Sequence, residues 1–253
     1  MQITSLSPSM VSKYRQCPRQ FYYDYCLQLP RMGSAYTAFG SSFHAMAEEN
    51  YYQKVRTEKD LPIDLLTDFF RDDLHYRDDV DWKEQEESLD DMKDQGVKTV
   101  RAYQEKVAPG IQPQVVEHVW SMEVNNRPWV ISGKTDLIAA NTPIDLKTTG
   151  RRLKTPKPEH VFQLSTYAMG WKAETGLPDV QGRLDYAIRG KEETISLEVA
   201  PMDAQRVVST FDDVAGWIQR EAWPPFRSHY LCSRKYCSFW EQCEKDCGGT
   251  VAH

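Results

Sequence analysis

The chain has 253 residues, 40% of them hydrophobic and 27% charged, a composition that excludes a globally disordered protein. No stretch approaches the roughly 18–20 apolar residues that span a bilayer, and the first residues lack the charged and apolar regions of a signal peptide. We therefore expect an intracellular, cytoplasmic protein without a membrane partner. The net charge of −6 gives no global sign of nucleic-acid binding, although it is compatible with a local basic groove.

The first 110 residues are predicted to be helical. Ser7-Pro8 is a typical cap and proline start, and Pro18 suits the first turn of a second short helix. Three further segments have helical spacing of apolar residues. The predicted helices cover residues 8–16, 19–27, 40–55, 62–76 and 84–107.

The pattern changes at Gln114, where alternation typical of strands begins. Asn125-Asn126 predicts a tight turn between the first two strands, and Asn141-Thr142 predicts the turn before the third. The predicted strands cover residues 115–124, 129–139, 143–147, 183–188 and 194–199, and the predicted helices cover 159–175 and 203–221. We expect an α/β fold with a mixed central sheet flanked by helices. One integrated domain would comprise a helical region (1–110), a core (111–222) and a cysteine-rich clip (223–253).

The most informative segment contains two acids and a lysine on adjacent predicted strands. Alternation puts Asp145 and Lys147 on one sheet face, and a turn at Asn141-Thr142 would put Asp136 opposite Lys147. An exposed Asp136–Lys147 salt bridge is the simple explanation, but the neighbouring residues are apolar. Charges on central strands are costly without a metal or another partner, which favours a functional cluster.

Two carboxylates and one amine suit the hydrolysis of phosphodiester bonds. The carboxylates would hold a hard divalent cation, and Lys147 would orient a water or offset charge on the phosphate. Five cations and no acid lie between Lys147 and Lys157. That segment is either a solvated basic loop or a contact for the phosphate backbone, for which Arg151, Arg152 and Lys154 are the candidates.

The six cysteines form two distant groups, which favours a metal or cluster site over core packing. Cys17 and Cys26 lie near the start, whereas the other four are Cys232, Cys237, Cys243 and Cys247. The C-terminal spacing lacks the C-x-x-C pairs typical of structural zinc, yet these four could bind zinc without Cys17.

Five short motifs in order together resemble the PD-(D/E)XK nuclease superfamily, in particular its RecB-like branch with an iron–sulfur cluster. The branch includes exonucleases of CRISPR adaptation and of recombination. The matching segments are Leu6-Ser-Pro-Ser9 through Cys17-Pro-Arg-Gln-Phe-Tyr, Gly40-Ser-Ser-Phe-His44, Gly133-Lys-Thr-Asp136, Asp145-Leu-Lys147 and Gln163-Leu-Ser-Thr-Tyr167. Asp145 stands where many relatives have Glu, a substitution within the superfamily's pattern.

The resemblance implies a set of metal ligands for Mg²⁺ or Mn²⁺: His44, Asp136, Asp145 and the backbone carbonyl of Leu146. Lys147 would be the catalytic lysine. Gln163 and Tyr167 lie four apart on one helix face and would contact DNA or support the lysine and the metal. From the residues alone, His44 could be a capped or core histidine. Glu48, one turn later, could hold a second metal, although a surface acid is favoured.

The resemblance also implies that Cys17, Cys232, Cys237 and Cys243 ligate a [4Fe–4S] cluster, with Cys26 and Cys247 spare. Such a cluster would tie the two ends of the chain together and be structural. Structural Zn²⁺ is the alternative. Nearby aromatic residues would shield the site or, alternatively, stack on unpaired bases; they are Tyr230, Tyr236, Phe239 and Trp240.

These observations predict a metal-dependent DNA nuclease, and the resemblance implies an exonuclease that acts on single-stranded DNA or duplex ends. The resemblance implies DNA repair, recombination or phage- and CRISPR-type processing, with a helicase or recombination partner and a bacterial, archaeal or phage origin. One alternative is a non-catalytic DNA-binding subunit of a helicase–nuclease or recombination complex. Another is a zinc-stabilised protein whose charged cluster is only a salt bridge.

Overall fold

The structure is a computed structural model that describes residues 3–228, 231–234 and 236–248. The chain forms two compact units. The terminal unit consists of residues 1–32, 121–132 and 203–253, and the central unit consists of residues 33–120 and 133–202. Both units combine distant stretches of sequence.

Helices make up the larger part of the described secondary structure. They are α1 (Pro8–Gln16), α2 (Pro18–Phe21), α3 (Ala35–Thr57), α4 (Ile63–His75), α5 (Leu89–Lys106), α6 (Pro158–Thr175), α7 (Ala204–Gln219) and α8 (Trp240–Cys247). A π-helical segment, Tyr22–Cys26, continues α2, and short 3₁₀ turns occupy Trp82–Glu84 and Ala108–Gly110. None of the described helices is both long and apolar enough to span a membrane.

The strands form the predicted mixed sheet. They are β1 (Ser5–Leu6), β2 (Val115–Glu123), β3 (Val130–Ala139), β4 (Thr142–Thr149), β5 (Gly182–Ile188) and β6 (Thr194–Val199). In the central unit the order is β3–β4–β5–β6, with β4 and β5 parallel and the other two pairs antiparallel. β2 also pairs with β3. In the terminal unit β1 lies parallel to the start of β3.

The two faces of β4 have different roles. Ile144 and Leu146 face the large apolar core that α3, α4 and α5 build in the central unit. The alternate residues, Asp145 and Lys147, pair in register with Leu184 and Tyr186 of β5. Those two β5 residues pack with Leu164 of α6. The period of two therefore places the acid and the lysine under α6, away from the main core.

Aromatic side chains dominate the core of the terminal unit. Tyr14 of α1 stacks on Trp217 of α7 with ring centroids 5.9 Å apart, and Phe21 stacks on Trp223 at 5.9 Å. Trp129 packs on Phe211 at 6.4 Å. Each large ring buries a large apolar area, which suits a small unit.

Local chemistry explains where the observed elements depart from prediction. The helix predicted to begin at residue 84 begins at Leu89, because the Ser88 side chain accepts the N–H of Asp91 and caps it. The tight turn predicted at Asn125-Asn126 is present, since the Arg127 N–H donates to the Val124 carbonyl at 3.0 Å. It lies inside a loop longer than predicted, because β2 ends at Glu123 and β3 begins at Val130. Pro128 in that loop has no N–H to extend the ladder. Neither β1 nor α8 was predicted.

Candidate active site

The β3–β4 turn sets the spacing of the two acids. Ala140 and Asn141 have left-handed φ values of 48° and 59°, and Ala139 pairs with Thr142. The turn therefore lies one residue earlier than predicted, and the predicted pairing of Asp136 with Lys147 was wrong. Asn tolerates this backbone conformation, whereas β-branched Thr142 favours the strand. Continued by one pair, the observed register places Asp136 opposite Asp145.

Asp145 is completely buried and bonded to Lys147. The Lys147 Nζ lies 2.9 Å from Oδ1 and 2.8 Å from Oδ2 of that carboxylate. Burial raises the pKa of Asp145 to about 6 even though the Lys147 charge opposes the shift. Burial alone would lower the pKa of Lys147, but Asp145 and Asp136 together raise it. The lysine ammonium thus serves as counter-ion to the acidic pair.

Asp136 joins the same cluster from β3. Its Oδ2 accepts the Leu146 N–H at 2.8 Å and lies 3.6 Å from His44 Nδ1. Burial raises the pKa of Asp136 to about 6. Burial, with a contribution from Lys147, lowers the pKa of His44, which hydrogen-bonds the backbone of Leu146. All four groups predicted as metal ligands therefore converge, from α3, β3 and β4.

The four groups predicted as metal ligands have donor atoms that suit a hard divalent cation. Two carboxylates, a backbone carbonyl and one imidazole suit Mg²⁺ or Mn²⁺. Asp145 Oδ2 is buried and, despite the nearby ammonium, makes no well-aligned hydrogen bond. In the structure these groups bond one another and Lys147. Within residues 3–228, 231–234 and 236–248, no three His, Cys, Asp or Glu side chains are already spaced to hold a metal ion.

Gln163 and Tyr167 lie on the face of α6 that covers the cluster. The Gln163 Nε2 donates to the Tyr167 hydroxyl at 2.6 Å. Burial raises the pKa of Tyr167, and the charges of Asp145 and Asp136 raise it further. Tyr167 is therefore a neutral phenol held beside the acids.

Three charged residues beside the cluster were not assigned to the site from sequence. Glu117 of β2 has a φ of 53°, a side chain only 10% exposed and an ion pair with Lys134. Glu48 is half-buried, and burial followed by the charge of Glu117 raises its pKa. Glu48 is thus more enclosed than the expected surface acid. Lys134 alternates in phase with Asp136, a signal that could have placed it at the site.

Trp120 packs beneath this region and explains the glycine of the Gly133–Asp136 segment. Its indole N–H donates to Thr135 Oγ1 at 3.1 Å, and its ring meets Tyr167 edge-on at 6.2 Å. A Cβ on Gly133 would lie 2.5 Å from the Trp120 ring, and one on Gly170 would lie 2.7 Å away. Both positions therefore need glycine for close packing.

Replacing Gly133 with alanine is expected to lower the free energy of unfolding by about 1–3 kcal/mol, because Trp120 must move out of its packed position. Gly110 is a matched control, since a Cβ there meets nothing within 4 Å. Urea unfolding measures both. Equal stability of the Gly133→Ala and Gly110→Ala variants would contradict the packing argument.

His160, near the start of α6, forms a hydrogen-bonded pair with Tyr186 of β5. The His160 Nδ1 and the Tyr186 hydroxyl are 2.8 Å apart. Burial, followed by the charges of Lys147 and Lys157, lowers the pKa of His160 to about 3. The imidazole is therefore neutral in the folded protein. No sequence pattern singled this residue out.

The depressed pKa of His160 predicts a loss of stability in acid. The unfolded imidazole binds a proton below a pH of about 6.5, whereas the folded one resists it, so stability falls as the pH drops from 6.5. Glutamine takes up no proton, so His160→Gln escapes this loss. Relative to wild type, we expect the variant to be about 2 kcal/mol more stable at pH 5 than the same comparison gives at pH 7.5. Urea unfolding at both pH values measures this. If the stability difference between His160→Gln and wild type is the same at pH 5 and at pH 7.5, the His160 imidazole is not held neutral.

The basic loop after β4 is exposed. Arg151, Arg152 and Lys154 are all exposed, and Arg152 lies 3.6 Å from Glu193. These side chains can contact a solvated polyanion without a large desolvation cost.

A second candidate site lies within the terminal unit. The four cysteines Cys17, Cys232, Cys237 and Cys243 line one cavity, together with Phe239 and Trp240. Among the described residues, Cys26 and Cys247 do not line it. Phe239 is buried and Tyr236 is 49% exposed, while Tyr230 lies outside the described residues.

The thiols of this cavity are electrostatically coupled. Burial raises the pKa of Cys232 and Cys237, and the nearby cysteines raise both further. Burial and then Cys247 raise the pKa of Cys243 to about 12. Two sulfurs also accept hydrogen bonds: the Phe226 N–H lies 3.5 Å from Cys17 Sγ, and the Gln20 amide lies 3.9 Å from Cys237 Sγ. Four thiols around one apolar cavity have the donor chemistry that binds an iron–sulfur cluster.

Comparison with known proteins identifies the class. The sequence profile of the PD-(D/E)XK nuclease superfamily matches residues 5–244, and the chain belongs to this superfamily. Its members generally are metal-dependent nucleases that act on DNA and usually use Mg²⁺ or Mn²⁺. A solved structure entitled "Crystal structure of SSO0001" is 18% identical with a TM-score of 0.47, covering 99% of this chain and 89% of that one. A search of curated proteins finds no significant match.

Proposed function

We propose that this protein is a metal-dependent DNA exonuclease of the RecB-like type that acts on single-stranded DNA or duplex ends. The convergence of Asp136, Asp145, His44 and Lys147 carries this proposal. A fully buried carboxylate beside a second acid is costly. That cost is expected where the pair serves to bind a cation, and it is hard to explain for a surface salt bridge.

Each residue of the cluster has a distinct proposed role. His44, Asp136, Asp145 and the Leu146 carbonyl would hold the ion, which when bound supplies Lewis-acid activation of water and offsets charge on the phosphate. Lys147 orients the attacking water and stabilises the developing negative charge. Gln163 holds the Tyr167 phenol in place beside the acids.

The basic loop after β4 would bind the part of the DNA strand that extends beyond the active site. Arg151, Arg152 and Lys154 are exposed and follow directly on the strand that carries the site. They would contact phosphates and fix the position of the DNA without selecting its sequence.

The cysteine cavity is proposed to hold a [4Fe–4S] cluster bound by Cys17, Cys232, Cys237 and Cys243. Its role would be structural, because it links the first helices to the C-terminal segment. The choice of these four is supported by their shared cavity. Zn²⁺ is the competing occupant, and measurement of bound metal decides between them.

The enzyme is expected to work in DNA repair, recombination or phage- and CRISPR-type processing, with a helicase or recombination partner that supplies ends. The alternative is a non-catalytic DNA-binding subunit of such a complex. Retention of both acids and the lysine in one buried cluster supports catalysis.

End-labelled single- and double-stranded DNA, with closed circular single-stranded DNA as control, tests the activity. With Mg²⁺ or Mn²⁺, we expect progressive loss of label from linear DNA and no cleavage of closed circles. Cutting of circles would contradict an exonuclease. Binding of DNA without any cleavage in either metal would instead support the non-catalytic subunit.

A further inference from the structure

The His160–Tyr186 pair engages one imidazole nitrogen, Nδ1, and leaves the other, Nε2, outside the pair. The Tyr186 oxygen accepts a hydrogen bond from the backbone of Lys157. Because burial keeps the Tyr186 phenol protonated and its oxygen already accepts one hydrogen bond, we assign its proton to the bond with His160 Nδ1, 2.8 Å away. A neutral imidazole that accepts at Nδ1 bears its proton on Nε2. His160 therefore presents a single, uncharged N–H donor.

This donor has no hydrogen-bond partner among the residues that the structure describes. No side chain or carbonyl in the described part of the chain accepts from Nε2, and this atom is not among the buried polar atoms without partners. Nε2 is therefore open to solvent on a residue that is otherwise half-buried. A locked donor that faces solvent is available to a ligand.

The surroundings of His160 favour an anion. Tyr186 is the register partner of Lys147 on the neighbouring strand, so the pair lies beside the candidate active site. Lys147 and Lys157 are the charged groups that act on His160. Asp145 and Glu159 act on Tyr186. A neutral donor on which two ammonium charges act suits an oxygen that carries negative charge.

We propose that His160 is a phosphate-binding residue, whose Nε2–H donates to a non-bridging oxygen of the DNA strand beside Lys147. The inference rests on the proposed nuclease function and adds a contact to it. An uncharged contact releases no counter-ion, whereas each cation–phosphate contact to a single strand contributes roughly 0.7 to the slope of log affinity against log salt. His160 should therefore add affinity without adding salt dependence.

Fluorescence anisotropy with 5′-labelled single-stranded DNA, in Ca²⁺ and at several NaCl concentrations, tests this in the full chain. We expect His160→Ala to weaken binding about tenfold with an unchanged salt slope. Lys154→Ala should lower the slope by about 0.7. His160→Gln keeps an N–H donor and should restore most of the affinity. His118→Ala is a matched control, because His118 pairs with Glu174 and is not placed at the site.

Tyr186→Phe provides an independent test that leaves His160 in place. Without the hydroxyl, Nδ1 no longer accepts a hydrogen bond and the imidazole proton distributes over both nitrogens. Binding should therefore weaken by less than in His160→Ala, with an unchanged salt slope. The nitrogen shifts of His160 in NMR report the tautomer directly in both proteins.

Several outcomes would overturn the inference. Binding by His160→Ala equal to wild type, or a salt slope reduced as in Lys154→Ala, would do so. So would a loss confined to one base sequence, since a phosphate contact is independent of sequence. If His160→Ala does not fold, the Gln and Phe variants decide. If the wild-type protein neither binds nor cuts DNA, the proposed function is wrong. If the wild-type protein is active and substitution of His160 changes neither affinity nor rate, only this inference is wrong.

Discussion

Lys147→Ala is expected to lower kcat for DNA cleavage by about 10²–10³ while DNA affinity changes only a few-fold. The ammonium lies 2.8 Å from the buried carboxylate of Asp145, and its charge acts more strongly on both acids than any other cation does. Its loss removes a group that acts on the reacting atoms, so the effect falls on kcat more than on KM. Single-turnover cleavage of end-labelled DNA measures the chemical step.

Lys172→Ala is the matched control for Lys147→Ala. It lies on α6 in the same unit, is exposed and bonds only the Pro178 carbonyl among described residues. We expect wild-type rates from it. Cleavage by Lys147→Ala at a rate near that of Lys172→Ala would contradict the assigned role.

Anaerobically purified wild type is expected to be brown, with broad absorbance at about 400 nm and about four irons per chain. Cys17→Ser is expected to lose the colour, the absorbance and the iron. Cys17 is 215 residues from Cys232 in sequence, yet both line one cavity. Loss of such a cross-link should cost about 5 kcal/mol, by analogy with a disulfide that closes a loop of that length. Iron analysis, visible absorbance and thermal unfolding give the three readouts.

Cys26→Ser and Cys247→Ser are the matched controls in the same unit. Both should retain iron and colour, since neither residue lines the cavity among described residues. A colourless protein that contains zinc, and keeps it in Cys17→Ser, would show that the four C-terminal cysteines form a zinc site. If Cys247→Ser loses iron and Cys243→Ser does not, then Cys247 rather than Cys243 is the fourth ligand of the cluster.

The sequence was sufficient to predict the strands that carry the site. Alternation placed Asp145 and Lys147 on one face, and the observed register with Leu184 and Tyr186 agrees. The mixed sheet and most helix positions follow from apolar periodicity and capping residues, since these signals are local. The Ser7-Pro8 start of α1 is an example.

Features that depend on tertiary packing were not predictable in the same way. The turn at Ala140-Asn141 places alanine in a left-handed conformation, which no local preference favours. Glu117 lies in a strand with no pattern that distinguishes it from a surface acid. The His160–Tyr186 pair depends on β5 and α6, which meet only in the folded protein.

Binding of Mn²⁺ to the metal-free enzyme, followed by electron paramagnetic resonance, tests the central claim most directly. Wild type should bind Mn²⁺, and Asp136→Asn and Asp145→Asn should each lose most of that affinity, because both carboxylates hold one ion. Lys172→Ala should bind as wild type does. Undiminished Mn²⁺ binding by Asp136→Asn and by Asp145→Asn would contradict a shared metal centre at this hairpin.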